Sequence, residues 1–223
     1  MADPLSLLDG LLPVYAEMLQ HLAAEGAEWV QIDEPCLVLD LDDAARAALR
    51  RTYAALAQAA PQLKLMVATY FGGLGENLST AVSLPVAGLH LDLVRAPSQL
   101  PAAIDKAPCE LVLSLGVIDG RNIWRADLPA LLDWLEPIVA ARGADRVQIA
   151  PSCSLLHVPI DLDLEDELDA DIRSWLAFAV QKMGELSALG RALAQGRDAV
   201  ADVLASSAAA AAARRTSPKV HDA

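Results

Sequence analysis

At 223 residues with 54% apolar and 21% charged side chains, the chain can bury one substantial core, with room for an appendage. Its formal charge of −13 argues against a nucleic-acid binder, whose phosphates demand a basic face, and against an anionic membrane surface. No apolar run approaches the roughly 18 residues that span a bilayer.

The N-terminus, Met-Ala-Asp-Pro-Leu-Ser, lacks the basic start and long apolar stretch of a secretory signal, so a cytoplasmic location is expected. Three cysteines, Cys36, Cys109 and Cys153, have no paired spacing, which suits reduced thiols. The histidines, His21, His90, His157 and His221, are scattered. Neither a phosphate-binding loop nor a zinc-finger spacing occurs.

In chain order, apolar periodicity predicts a helix over Leu5–Ala24, with Leu11, Leu12, Tyr15, Met18, Leu19 and Leu22 on one broad face and Pro13 as a kink or late start. Gly26 ends it. A strand follows at Glu28–Asp33, closed by Pro35, and Asp42-Asp43 caps a second helix running to Ala59. Further strands are predicted at Leu63–Thr69, Val86–Asp92, Glu110–Leu115 and Arg146–Ala150. Between them lie a short helix after Gly75, another over Ser98–Lys106, and a stronger one opening at Asp127-Leu-Pro. A long helix is expected over Leu168–Leu193.

The run Asp161–Asp171 carries seven carboxylates in eleven residues. It reads as a solvated loop feeding a helix N-terminus, where the dipole favours negative charge; it lacks the glycine-centred spacing of a calcium loop. Gly196 marks a boundary. Beyond it, Ala208–Ala213 is expected to form a solvent-exposed connecting helix, because alanine favours helix yet has little area to bury. Arg214-Arg-Thr-Ser-Pro-Lys219 then reads as a basic, unstructured tail. The expected division is 1–195 and 196–223.

Strand, polar loop and helix in repetition predict an α/β fold of parallel strands with crossover helices. Five strands cannot close an eight-stranded barrel. Alternation places Val30, Ile32, Leu65, Val67, Leu89, Leu91, Val147 and Ile149 toward the helices. Gln31, Asp33, His90, Asp92 and Gln148 fall on the opposite, polar face. There Gln and His are expected to satisfy one another.

Chemistry in such folds sits on the loops after the strands, and five segments there are informative. Val30-Gln-Ile-Asp-Glu-Pro35, Thr69-Tyr-Phe-Gly-Gly73, Leu89-His-Leu-Asp-Leu-Val-Arg95, Leu113-Ser-Leu-Gly-Val-Ile-Asp-Gly-Arg-Asn-Ile-Trp124 and Ala150-Pro-Ser-Cys-Ser-Leu-Leu-His157 resemble, in order and spacing, the N-terminal half of cobalamin-independent methionine synthases. The alanine-rich tail resembles the segment joining the two halves of that enzyme.

The resemblance implies transfer of a methyl group from 5-methyltetrahydrofolate polyglutamate to homocysteine by two (βα)-barrels, with zinc and homocysteine on the C-terminal one. It implies that this chain holds the last five βα units of the N-terminal barrel, a fragment that supplies scaffold and binds no cofactor by itself. The C-terminal barrel, folate and homocysteine would be its partners. Matching the zinc-bearing barrel to this one places Tyr70 and Gly72 at the first two ligand positions, Asp92 at the third and Cys153 at the last. Tyrosine and glycine cannot complete a zinc site, and nothing in the spacing compels His157 to substitute.

Asp33-Glu34 is a candidate acid–base pair at a barrel mouth, although adjacent carboxylates also cap helices and accept loop hydrogen bonds. Asp92 and the loop residues Asp119, Arg121 and Asn122 are candidates for ligand or partner-barrel contact, with loop stabilisation as the competing role. A stand-alone binding module derived from this barrel is the alternative to a methyltransferase fragment. An independent barrel enzyme built on Asp33, Glu34, Asp92 and Cys153 would need more strands.

Overall fold

A computed structural model describes residues 4–220; His221 lies outside them. Five strands form one parallel sheet in the order β1-β2-β3-β4-β5: β1 (Trp29–Asp33), β2 (Lys64–Ala68), β3 (Gly88–Asp92), β4 (Val112–Ile118) and β5 (Val147–Pro151). The register of the first pair runs Trp29 opposite Lys64 through Asp33 opposite Ala68. Sequential order with helical crossovers is the expected α/β arrangement, and β1 and β5 are left as edges. The chain divides into two compact units, 1–114 and 115–223.

In the first unit, α1 (Leu8–Ala24) follows a single 3₁₀ turn and contains Pro13. Pro13 is the sixth residue of the helix, so the helix starts before the proline rather than after it, and the bond an amide there would donate to the Asp9 carbonyl is missing. α2 (Asp43–Ala59) begins where Asp42 accepts the Ala45 amide at 2.8 Å, the expected N-cap. Leu19, Leu56, Ala60, Leu63 and Leu65 form a core with Val30 and Ile32 packed against it, so the aliphatic strand face does meet the helices. The broad face predicted for α1 is covered only in part. Leu19 is buried, whereas Leu11, Tyr15, Met18 and Leu22 remain 42–56% exposed. Two short helices, α3 (Leu78–Val82) and α4 (Leu100–Lys106), complete this unit.

The second unit holds α5 (Leu128–Arg142), capped by Asp127, then α6 (Ala170–Ser174), α7 (Ala179–Gln195) and α8 (Ala201–Thr216). Two expectations need correction here. The long helix predicted over Leu168–Leu193 is broken at Trp175–Phe178. Backbone groups there pair with an earlier segment instead: the Arg125 amide donates to the Trp175 carbonyl at 2.8 Å, and the Ala177 amide to the Ile123 carbonyl at 2.8 Å. The alanine-rich helix is also not free in solvent along its length. Leu204, Ser207, Ala210 and Ala211 are buried, and α8 packs on α5, because methyl-sized side chains let two helix backbones approach closely.

Candidate functional site

In the first unit the loops after β1, β2 and β3 hold most of the predicted residues. Asp33 is a hydrogen-bond acceptor at both oxygens: Gln31 Nε2 donates to Oδ1 at 2.7 Å and the Tyr70 hydroxyl to Oδ2 at 2.9 Å. Glu34 is likewise engaged, with the Tyr53 hydroxyl on Oε1 at 2.9 Å and the Cys36 thiol on Oε2 at 3.3 Å. Burial, with Glu34 close by, pushes Cys36 up to about 11 and raises the fully buried Tyr53 as well, so both hold their protons at neutral pH and stay donors. Gln31 therefore pairs with its own strand rather than with a histidine, and His90 Nδ1 lies 2.9 Å from the Ser114 hydroxyl.

Asp92 is 1% exposed and organises two loops. Its Oδ2 accepts the Phe71 amide at 2.9 Å, while Oδ1 accepts the Val94 amide at 3.1 Å and the Arg95 amide at 2.9 Å. Phe71 is the single non-glycine residue with positive φ among the described residues, at 77°. That conformation costs a non-glycine residue roughly 1–2 kcal/mol, and the bond to Asp92 holds it. The strain turns a Phe71 ring that is 40% exposed edge-on against Tyr70, with centroids 4.8 Å apart.

The sequence pattern gave no signal for Asn77. It is 2% exposed, donates to the carbonyls of Leu37 and Leu39 at 2.8 and 2.7 Å, and accepts from Arg46 Nε at 2.9 Å. It is the clamp on the loop that follows Glu34. An asparagine at the start of a short helix reads as a turn residue, and only the fold brings Leu37 to it.

In the second unit, Asp119 Oδ1 accepts the Arg121 amide at 2.8 Å and Oδ2 accepts Asn122 Nδ2 at 2.6 Å; Asn122 Oδ1 in turn accepts the Trp124 amide at 2.9 Å. These candidates build their own loop. Gly120 is required by close approach: a Cβ there would lie 2.7 Å from the Cys153 carbonyl and 3.0 Å from its sulfur. Cys153 is 6% exposed.

The segment after this loop is tied down from several sides. Lys182 Nζ donates to the Trp124 carbonyl at 3.1 Å and Glu185 Oε1 accepts the Ala126 amide at 2.8 Å. Ser207, fully buried, donates to the Ala126 carbonyl at 2.7 Å and accepts the Leu128 amide at 2.9 Å. Burial lowers the Lys182 ammonium and raises the Glu185 carboxyl from their ordinary values. The basic tail closes onto the same unit. Arg214 sits over the Trp124 ring at 5.0 Å, Arg215 reaches Asp127 at 3.4 Å, and Lys219 Nζ meets Asp169 at 2.7 Å and Asp171 at 2.9 Å. The tail was expected to be unstructured; these contacts hold it against the unit instead.

The residues matched to zinc-ligand positions do not fit a metal. The Tyr70 hydroxyl is directed to Asp33, Gly72 has no side chain, and both Asp92 oxygens accept backbone amides. Among the described residues no cluster of three or more His, Cys, Asp or Glu is placed to hold a metal.

Parallel strands with crossover helices and polar loops at the strand ends define an α/β protein of the kind that builds its chemistry on those loops. A sequence profile described as the N-terminal domain of cobalamin-independent synthase matches residues 1–143, and the chain belongs to that family. It is 73% identical to the 5-methyltetrahydropteroyltriglutamate–homocysteine methyltransferase of Nitrobacter winogradskyi, over 99% of this chain and 29% of that protein. It is 67% identical to the enzyme of the same name from Rhodopseudomonas palustris, over 99% of this chain and 28% of the relative. The chain thus spans less than a third of the length of these relatives. A crystal structure of a putative vitamin-B12-independent methionine synthase from Listeria monocytogenes shares the fold, with a TM-score of 0.54 at 17% identity, over 67% of this chain and 48% of that one.

Proposed function

We propose that this chain supplies the last five βα units of a (βα)₈ barrel in a methyltransferase that moves the methyl group of 5-methyltetrahydrofolate polyglutamate to homocysteine. In this reading it acts as scaffold in a cytoplasmic enzyme of methionine biosynthesis, and zinc belongs to the partner barrel. Residues 196–223 join the two barrels, and residues 1–195 belong to the first.

The observation that carries the scaffold role is how the mouth carboxylates are engaged. Asp33, Glu34, Asp92 and Asp119 each accept hydrogen bonds at both oxygens from the chain's own groups. A general base needs an oxygen within reach of the proton it takes, and methyl transfer to a thiol needs an activated thiolate held in line with its donor. The chain's residues present a rigid rim instead. Asp33, the last residue of β1, and Asn122, in the loop after β4, stay candidates for touching a ligand or the partner barrel.

The test supplies homocysteine, 5-methyltetrahydropteroyltriglutamate and zinc to the purified chain and follows methionine. No turnover is expected from the chain alone, and zinc is expected well below one per chain after mild chelation. In a full-length relative, replacing the residue equivalent to Asp92 with alanine should reduce turnover by loosening the rim. Methionine formation by the isolated chain, or one tight zinc lost on Cys153→Ala, would overturn the reading.

A further inference from the structure

The second unit contains an open cavity of about 690 Å³ bordered by α7 and α8 and lined by three arginines, Arg125, Arg173 and Arg191. That clustering stands out in a chain of net charge −13. Arg173 is partly neutralised by Asp163 at 3.2 Å. The other two make no ion pair among the described residues. Arg125 donates one bond, to the Ser206 hydroxyl at 3.1 Å, and Arg191 one, to the Ala199 carbonyl at 2.9 Å. A guanidinium carries five N–H donors in a planar fork that matches a carboxylate, so most of both forks is available to a ligand.

Glu185 is the one acid among the lining residues. It is 6% exposed, and its Oε2 has no hydrogen-bond partner. An ionised carboxylate so placed is costly, and burial moves the group toward its neutral form. It stands as a single acid against three guanidinium groups in the lining. Ser174, Gln181 and Ser187 are the other polar side chains of the lining, and the remainder is apolar, including the buried Leu128, Leu162 and Leu176. A cavity of this size that combines apolar lining with a few polar groups is the usual form of a small-molecule site.

We propose that this cavity binds a small organic anion, a monocarboxylate with a short aliphatic body, whose carboxylate is received by Arg125 and Arg191 and whose chain lies on the leucine wall. The proposal does not depend on the methyltransferase reading.

The experiment uses the whole 223-residue chain, isotopically labelled, titrated with hexanoate, hexanamide and inorganic phosphate while amide shifts are followed by NMR. Hexanoate should saturate with shifts confined to residues around the cavity. Hexanamide, which has the body without the charge, and phosphate, which has charge without the body, should each bind at least about tenfold more weakly. Arg125→Gln and Arg191→Gln should each weaken hexanoate about tenfold, and Arg191→Lys less than Arg191→Gln, because a point charge keeps attraction but loses the fork. Arg95→Gln, on an exposed residue of the other unit, should change nothing. The spectrum of each variant reports its fold directly. Equal binding of hexanoate and hexanamide, shifts elsewhere, indifference to both glutamine substitutions, or no saturation by about 10 mM would overturn the proposal.

Discussion

Asp92 offers the sharpest test of the claim that the rim carboxylates build loops. Replacing it with alanine removes the acceptor of three backbone amides, those of Phe71, Val94 and Arg95. Hydrogen bonds to a charged acceptor contribute about 1.5–3 kcal/mol each. Part of that returns through solvation of the loop amides, and roughly 1 kcal/mol more returns as Phe71 relaxes from its positive φ. A net loss of about 3–4 kcal/mol is expected. Asp92→Asn is the more discriminating change. Its remaining oxygen can still accept Val94 and Arg95, but the new amide nitrogen faces the Phe71 N–H, donor against donor, so about 2 kcal/mol should be lost and the loop after β2 released alone. Urea denaturation measures the stability, and hydrogen exchange reads the amides individually: Phe71 should lose protection in Asp92→Asn while Val94 and Arg95 keep theirs. A change under about 0.5 kcal/mol, within the scatter of ordinary surface substitutions, together with unaltered Phe71 exchange, would refute the anchor role.

Ser207→Ala should cost about 2–3 kcal/mol, since it strands a buried carbonyl and a buried amide together; thermal denaturation of the variant checks it. Glu185→Gln should gain on the parent as pH rises. The raised carboxyl of Glu185 contributes stability fully below its ordinary value of 4.5 and loses it as pH climbs through the raised one. Glutamine mimics the protonated form and keeps an acceptor for Ala126, despite the attraction lost from Lys182 and Arg125. Denaturation midpoints of parent and variant should converge in acid, and a difference independent of pH would count against the assignment. The isolated chain should self-associate, because β1 is an edge strand beside the half-exposed Leu11, Tyr15, Met18 and Leu22, and unpaired edges recruit partners. Sedimentation giving a clean monomer across concentrations would contradict that.

The sheet was legible because each strand is a short aliphatic run between a turn signal and a polar loop, and the helices after Asp42 and Asp127 announced themselves through their caps. β4 ran longer than its apolar run indicated, since Gly116 interrupts a pattern that tertiary pairing continues through Ile118. The break in the long C-terminal helix was invisible because Trp175–Phe178 has ordinary helical composition; its carbonyls and amides are claimed by Ile123 and Arg125, a contact no local pattern encodes. The polar strand face was read as an enclosed layer. Gln31 and Gln148 on the two edge strands are exposed instead, as five strands without closure require. The loop motifs located the candidate residues, yet their roles depended on which amides lay within reach, and that is set by the fold.

The basic tail, Arg214 to Lys219, is fastened by a different class of force from the helix it follows. Arg215 grips the half-buried Asp127 and Lys219 grips the more exposed Asp169 and Asp171, whereas α8 is seated by buried alanines. Counterions compete for the first and leave the second untouched: at physiological ionic strength exposed charges are screened beyond about 8 Å, and at 1 M beyond about 3 Å. Salt should therefore unfasten the last residues while the helix stays seated, making the direction in which the chain leaves this unit a function of the medium. The tail is a joint whose stiffness is set by ions.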